Sequence, residues 1–181
     1  PRKIITTGEG GMITTNDKKL QEKIRSFKAF GKIDSEFKNL GTNYKLSDIQ
    51  SAMGIAQMNK IEKIIKKKIE QAKIYDELLS KNDFIEPQKQ TQNSRHTYQS
   101  YVCIISKPSL RNKIIKKLSQ KNIEAQIGTY ALHCLPAFKK TRKSGNLENS
   151  EFLYKNSISL PLHEELSEEE QHYICSIIKN I

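Results

Sequence analysis

The chain has 181 residues and a formal net charge of +11, with 31 lysines and arginines against 20 aspartates and glutamates. Such a length can bury the core of one ordinary domain or of a domain and a half. Only five of the basic residues are arginine, the side chain whose planar fork recognises phosphates and bases. The composition therefore argues against a nucleic-acid-binding protein, which stays as the weakest functional alternative.

Cysteines and histidines have no metal-binding spacing in this sequence. Cys103, Cys134 and Cys175 are far apart and form no pair of the CxxC type. We therefore expect no metal site, and a reducing, cytoplasmic setting is the default for such cysteine usage. No apolar run approaches the ~20 residues that cross a bilayer, so no membrane partner is expected.

The first sixteen residues contain two short β-favouring runs, residues 4–7 and 12–15, on either side of a glycine-rich turn. This pattern predicts a hairpin. Glycine allows positive φ and a close approach of the backbone to a neighbouring strand or a ligand. The spacing alone favours a structural turn over a cofactor-binding turn near Lys3, and both interpretations stay open at this point.

A first helix and a loop are predicted next. Asp17 can cap a helix over residues 18–30, which Gly31 would end. Residues 32–44 have no clear period and are predicted to form a loop. Within that loop, Asn43 taken by itself is interpreted as an asparagine that bonds to its own backbone.

A long helix should follow this loop. Ser47 and Gln50 match a capping box, and apolar residues then recur at three- and four-residue steps to about residue 79. Gly54 lies near the start of the helix, where a glycine costs about 1 kcal/mol relative to alanine unless close packing offsets it. Beyond the helix, the polar, proline-containing residues 82–93 are the best candidate for a domain boundary.

The second half has the pattern of a small α/β domain. Residues 97–105 and 123–127 are predicted strands, and residues 109–120 are a predicted helix between them. Together they suggest a β-α-β unit. Ser167 and Glu170 match a second capping box, which predicts a helix to the end of the chain.

Five segments, taken in order, carry a family likeness over almost the whole chain. They are Lys3 with residues 7–11 and 16–17, then residues 41–47, 95–101, 128–138 and 160–163. These segments closely resemble the DegT/StrS family of nucleotide-sugar aminotransferases, which are pyridoxal-phosphate (PLP) enzymes of fold type I. Lys45 and Leu46 replace the commoner arginine and methionine of the family, and the Ser-Phe-His run that precedes its lysine is absent.

The resemblance implies an α/β fold that is the C-terminal part of a fold type I PLP-dependent transferase. Residues 1–81 would be the C-terminal remainder of the large PLP-binding domain, containing a hairpin and a long inter-domain helix. Residues 82–181 would be a small C-terminal α/β domain. The phosphate-binding loop, the aromatic residue stacked on the cofactor ring and the carboxylate paired with its pyridine nitrogen would lie outside this sequence, so the chain alone is expected to be inactive.

The resemblance also implies roles for single residues. Lys3 would be the catalytic lysine, which forms a Schiff base with PLP and moves protons. Asn43 would reach the phosphate of the partner's cofactor across a homodimer interface. His133 would contact the substrate sugar, with Tyr130 beside it, although a histidine taken by itself is more often structural.

The implied reaction moves an amino group from an amino acid, expected to be glutamate, to a keto-sugar linked to a nucleotide. Such a reaction would serve polysaccharide biosynthesis in the cytoplasm. The main alternative is a non-catalytic binding or assembly module of the same fold. The presence of Lys3 and Asn43 argues against that alternative, because a binding module needs neither residue.

Overall fold

A computed structural model describes residues 3–181 of the chain. Its described residues divide into two compact units, Lys3–Ile61 and Glu62–Ile181. The functional boundary predicted after residue 81 lies inside the second unit, just beyond its first helix. The assignment of two functional domains thus stays a prediction.

The first unit contains two helices and a short hairpin: α1 (Lys18–Lys28), β1 (Lys32–Ile33), β2 (Glu36–Phe37) and α2 (Asp48–Met58). Asp17 caps α1 as predicted, because its Oδ1 accepts hydrogen bonds from the amides of Lys19 and Leu20 at 2.8 and 3.1 Å. The helix ends slightly earlier than predicted. Phe30 and Gly31 have φ angles of 62° and 77°, which an α-helix cannot include.

The hairpin predicted within residues 4–15 is wrong, since no strand occurs there. Threonine side chains bond the backbone instead. The Thr6 hydroxyl oxygen accepts from the amide of Gly8 at 3.0 Å, and the Thr7 hydroxyl donates to the Glu9 carbonyl at 2.8 Å. Such local bonds compete with strand pairing, and the exposed Met12 gives the second run no buried face.

A different hairpin is formed by β1 and β2, in the segment predicted to be a loop. The two strands are antiparallel, with Lys32 opposite Phe37. Asp34 and Ser35 between them have φ angles of 50° and 68°. Positive φ at both central residues is the geometry of a two-residue type I′ turn.

The long helix predicted from residue 47 to about residue 79 is two helices. The capping box at its start is confirmed, because the Ser47 hydroxyl accepts from the amide of Gln50 and the Gln50 side chain accepts from the amide of Ser47, both at 3.3 Å. The helix stops at Met58, and the Lys60 amide makes a tight bond to the Gln57 carbonyl at 3.0 Å. A second helix, α3 (Ile61–Leu79), begins directly afterwards.

The second unit adds a sheet and three more helices to α3. They are β3 (Ile85–Pro87), β4 (Tyr101–Ile105), α4 (Pro108–Ser119), β5 (Gln126–Ile127), α5 (Glu148–Asn156), β6 (Ser157–Leu160) and α6 (Glu168–Lys179). The strand order is β3-β4-β6-β5, and each neighbouring pair is antiparallel. Consequently β4 and β5 run parallel with β6 between them, so the predicted β-α-β unit is present in a split form.

The core of the second unit is built on one face of β4. Tyr101, Cys103 and Ile105 are buried, whereas the alternating residues are half-buried. From α3, the ring of Tyr75 stacks on that of Tyr101 with the ring centroids 4.8 Å apart. Burial raises the pKa of both phenols and of the Cys103 thiol well above their ordinary ranges, so these groups stay neutral in the folded protein.

Helix α3 is also bonded to the chain that follows β6. The Gln71 side-chain amide donates to the carbonyls of His163 and Leu166 at 2.8 and 2.9 Å. The ammonium of Lys68 donates to the Leu162 carbonyl at 2.9 Å. These bonds provide donors for backbone carbonyls that lie outside the sheet and therefore have no partner in a neighbouring strand. In the part of the chain that the structure describes, none of the helices has the length and apolar character needed to span a membrane.

Candidate functional site

Lys3 lies in a bend over residues 3–5 and is exposed. The glycine-rich turn that follows it is fixed by α2, since the side-chain amide of Gln50 donates to the Glu9 carbonyl at 2.9 Å. Gln50 also belongs to the capping box of that helix. One side chain thereby fixes both the start of α2 and the turn after Lys3.

The glycines of this region permit close contacts. A Cβ atom on Gly10 would lie 2.7 Å from the Thr7 hydroxyl oxygen and 3.2 Å from Cδ1 of Leu46. Inside α2, a Cβ atom on Gly54 would lie 3.2 Å from Cγ2 of Thr7. Thr7 therefore lies close to both glycines, and the helix glycine has the close neighbour that its position predicts.

Asn43 belongs to a loop that is bonded along the end of α1. Its backbone pairs with Ala29 in an isolated antiparallel bridge, and the amide of Thr42 donates to the Phe27 carbonyl at 2.8 Å. Gly31 and Gly41 make this approach possible, because a Cβ atom on Gly41 would lie 2.1 Å from the Gly31 nitrogen. The position of Asn43 is therefore set by backbone contacts rather than by its own side chain.

The side chain of Asn43 is exposed and makes one local bond. Its Oδ1 accepts from the Lys45 amide at 3.4 Å, which is long for a hydrogen bond. This is the local contact that the sequence favoured for an isolated loop asparagine. Within the described residues, the Nδ2 donor of Asn43 has no protein partner, so it is free to bind a solvent molecule or an anion.

Tyr130 and His133 lie in the second unit, on the segment that connects β5 to α5. Tyr130 is 56% exposed, and its ring lies against that of Tyr154 from α5 with the centroids 5.8 Å apart. His133 is half-buried in a 3₁₀ turn formed by Leu132–Cys134. The buried Ala131 fixes the start of this turn. The four predicted site residues are thus divided, with Lys3 and Asn43 in the first unit.

A cluster beside His133 was not predicted from the sequence. The donor atoms of His133, Cys134 and Glu151 all lie within 4.8 Å of one another. Glu151 also pairs with Lys155 one turn further along α5, and this ion pair holds the pKa of the Glu151 carboxyl below its usual range. The spacing along the chain gives no motif, so only the fold brings Glu151 to the other two residues.

The sequence profile of the DegT/DnrJ/EryC1/StrS aminotransferase family matches residues 1–179. The chain belongs to this family. The resemblance noted in the sequence is therefore confirmed over nearly its full length. Membership in the DegT/DnrJ/EryC1/StrS family also explains why the recognisable segments extend from Lys3 to the turn before α6.

Two relatives of this chain have the names of a transaminase and a synthase. The UDP-4-amino-4,6-dideoxy-N-acetyl-beta-L-altrosamine transaminase of Helicobacter pylori is 29% identical, over 98% of this chain and 49% of that protein. The GDP-perosamine synthase of Escherichia coli O157:H7 is 31% identical, over 97% of this chain and 48% of that protein. The chain thus spans about half the length of these relatives.

A solved structure gives the same result for the fold. Helicobacter pylori PseC, an aminotransferase involved in the biosynthesis of pseudoaminic acid, matches with a TM-score of 0.86 and 28% identity. The match covers 97% of this chain and 49% of that chain. The predicted fold class is therefore confirmed: the chain has the mixed helix and sheet structure of about half of a family aminotransferase.

One family segment, residues 95–101, lines an open cleft of about 790 Å³ in the second unit. Arg95 at its rim pairs with Glu62 at 2.8 Å. His96 packs against Tyr98, and its Nδ1 accepts from the Tyr98 amide at 3.0 Å. His96 thus supports a backbone with positive φ at Tyr98, which is a structural role.

Proposed function

We propose that this chain is the C-terminal portion of a PLP-dependent aminotransferase that transfers an amino group to a keto-sugar linked to a nucleotide. The observation that carries the proposal is the family match over residues 1–179, which includes the segment containing Lys3. The names of two relatives, a transaminase and a synthase of nucleotide-linked amino sugars, support this substrate class. We further propose glutamate as the amino donor and the cytoplasm as the location.

The residues around Lys3 fit a covalently attached PLP. Lys3 offers an exposed primary amine, the group that bonds the cofactor aldehyde. Gln50 holds the neighbouring turn through the Glu9 carbonyl, so the backbone beside the amine is fixed. When bound, PLP supplies an electron sink that stabilises negative charge on the substrate carbon next to the amino group.

Lys3 has a second proposed task as a base. Its Nζ would take the proton from the α-carbon of the amino donor and later deliver a proton to the sugar carbon that receives the amino group. An ammonium group cannot act in this way.

Asn43 is proposed to bind the cofactor phosphate. Its backbone is fixed by the bridge to Ala29, and its Nδ2 can donate a hydrogen bond to a phosphate oxygen. We propose that it does so across the interface of a homodimer, toward the cofactor of the partner. Since Lys3 and Asn43 are the only cofactor contacts that we assign to this chain, we expect the chain alone to be nearly inactive.

Tyr130 and His133 are proposed to contact the sugar. A phenol and a neutral imidazole can each donate and accept hydrogen bonds, which suits the hydroxyl groups of a sugar ring. Both residues lie on one segment, and the contact of Tyr130 with Tyr154 orients its ring. The side chains would fix the position of the substrate rather than take part in proton transfer.

A labelling experiment tests the proposed role of Lys3. The complete gene product and the 181-residue chain are each mixed with PLP, their absorbance is recorded, and borohydride then fixes any attached cofactor for peptide mapping. We expect the label on Lys3 in the complete protein and little label in the chain. Lys3→Arg should abolish that labelled peptide, while the control Lys18→Arg should retain it.

The peptide map distinguishes this outcome from adventitious labelling, because the chain has many exposed lysines. Label spread over several lysines, and unchanged by Lys3→Arg, would contradict the assignment of Lys3. In that case a non-catalytic binding or assembly module of the same fold would become the better hypothesis. A single label on Lys3 would support the catalytic hypothesis over that alternative.

A further inference from the structure

The segment that carries His133 meets α5 at a cluster of three metal-binding side chains. The imidazole of His133, the thiol of Cys134 and the carboxylate of Glu151 place one donor atom each within 4.8 Å of the others. All three residues are half-buried, and Cys134 forms no disulfide. Nitrogen, sulfur and oxygen donors together are the ligand set of Zn²⁺.

The backbone on both sides of the cluster is well fixed. On one side, the amide of Cys134 donates to the carbonyl of the buried Ala131 at 2.9 Å. On the other side, α5 is held by Asn156, whose side-chain amide donates to the Ile105 carbonyl in the sheet at 2.8 Å. Arg111 of α4 also donates to the Tyr154 carbonyl at 2.6 Å. The ligands therefore come from a rigid frame.

The separations in the cluster are somewhat larger than those of a tetrahedral zinc site. Zinc binds sulfur at about 2.3 Å and nitrogen or oxygen at about 2.0–2.2 Å, so one sulfur and two nitrogen or oxygen ligands lie about 3.3–3.6 Å apart. Since the donor atoms of the cluster lie within 4.8 Å of one another, it has to contract by at most roughly 1.5 Å. Side-chain rotation alone can supply such a change, because all three groups are at the ends of rotatable side chains and are partly open to solvent.

The charge of the cluster also suits a divalent cation. A thiolate and a carboxylate supply two negative charges, of which the ammonium of Lys155 offsets one, so the cluster keeps a net negative charge that attracts Zn²⁺. Lys155 pairs with Oε1 of Glu151, which leaves the other carboxylate oxygen as a ligand. The thiol of Cys134 would lose its proton to the solvent as the zinc–sulfur bond forms.

We propose that His133, Cys134 and Glu151 bind Zn²⁺, with a water molecule in the fourth position. The metal joins the 3₁₀ turn Leu132–Cys134 to α5, two elements that are separate in sequence. Calcium and magnesium are poorer candidates, since they prefer sites made of oxygen ligands only. The site does not depend on the proposed transaminase reaction, and a zinc ion on one ring nitrogen of His133 leaves the other ring nitrogen to donate a hydrogen bond to the sugar.

Titration with Co²⁺, a spectroscopic substitute for Zn²⁺, tests this proposal on the reduced 181-residue chain. A thiolate ligand gives a charge-transfer band, and we expect this band to saturate at one Co²⁺ per chain and to disappear on addition of Zn²⁺. Cys134→Ser should abolish the band. His133→Gln and Glu151→Gln should each weaken binding at least tenfold, since even a partner outside the ligand shell changes metal affinity by about 10–100-fold.

Matched controls separate this site from chance binding. Cys175→Ser removes a buried thiol whose pKa burial raises to about 11, Glu148→Gln changes an exposed carboxylate on the same helix, and His172→Gln changes an exposed histidine. All three should bind Co²⁺ like the unchanged chain. Far-ultraviolet circular dichroism verifies that every variant is folded. A band that survives Cys134→Ser, or one lost equally in the controls, would overturn the proposal.

Discussion

Among the described residues, no hydrophobic side chain of the first unit is buried, whereas the second unit contains all of the buried hydrophobic side chains. The first unit nevertheless has ordered helices, a hairpin and an anchored loop. Its order comes from caps, backbone bonds and glycine contacts, such as the approach of Gly41 to Gly31. The second unit has a packed core around β4 and α3.

This difference matches the proposed roles of the two units, with cofactor contacts on the first unit and sugar contacts on the second. Lys3 and Asn43, the proposed cofactor contacts, are on the unit without a core, and many of its large apolar residues are exposed. Apolar surface of this kind is usually covered by another part of a protein. Tyr130 and His133 instead lie on the unit that has a packed core. The contrast predicts that equal substitutions will have unequal effects in the two units.

A pair of leucine truncations should give the largest difference. Leu118 of α4 is completely buried, whereas Leu40 of the first unit is 94% exposed. We expect Leu118→Ala to lower the free energy of unfolding by about 2–5 kcal/mol, through lost burial and the cavity left behind. Leu40→Ala should stay within about 0.5 kcal/mol. Urea unfolding of both variants measures the two values, and comparable losses would show that the first unit also has a core.

A glycine substitution should disturb the first unit locally. In Gly41→Ala, the new Cβ atom would lie 2.1 Å from the Gly31 nitrogen and 2.6 Å from the Phe27 carbonyl oxygen, both of them backbone atoms. We expect a local loss of about 1–3 kcal/mol. Hydrogen exchange at the amides of Thr42 and Tyr44, which donate to backbone carbonyls of α1, should accelerate at least tenfold.

The control for this substitution is Gly11→Ala, since a Cβ atom there has no neighbour within 4 Å. It should leave both amides unchanged. Exchange in the second unit should be unaffected by either variant, because its core contains no contact that the substitution alters. If Gly41→Ala left the exchange of Thr42 unchanged, the close approach of the two glycines would not be what holds the Asn43 loop.

The sequence predicted those elements whose signals are local. Asp17 and the two capping boxes were identified because an N-cap and its partner lie within one helical turn. The β1–β2 hairpin was missed because Asp34 and Ser35 have positive φ without the glycine that usually announces such a turn. The central strand β6 was missed because its position depends on pairing with β4 and β5, which no local pattern encodes.

Part of the candidate site could also be predicted from the sequence. The positions of Lys3, Asn43, Tyr130 and His133 followed from family segments, and their roles stay predictions. By contrast, the grouping of Glu151 with Cys134 depends on how α5 packs behind the 3₁₀ turn. Glu151 and Cys134 are far apart in the sequence and belong to no motif, so a single sequence does not indicate that they are in contact. Their proximity is seen only in the structure.

The smallest predicted effect concerns pH and the buried Lys68 of α3. Burial lowers the pKa of its ammonium from 10.5, and only the charge of Glu164 opposes this shift. Between the lowered pKa and 10.5 the unfolded chain binds more protons at this position than the folded chain. The contribution of Lys68 to the free energy of unfolding therefore rises with pH in that interval.

Lys68→Met should remove this contribution, whereas Lys66→Met, at an exposed position of the same helix, should keep it. Urea unfolding of both variants over the alkaline interval below pH 10.5 gives the two slopes. Lys68→Met also deprives the Leu162 carbonyl of its donor, which lowers stability at every pH without changing the slope. If the free energies of unfolding of the two variants changed with pH in parallel, Lys68 would have the same pKa in the folded and unfolded chains. Its ammonium group would then be well solvated despite the packing around α3.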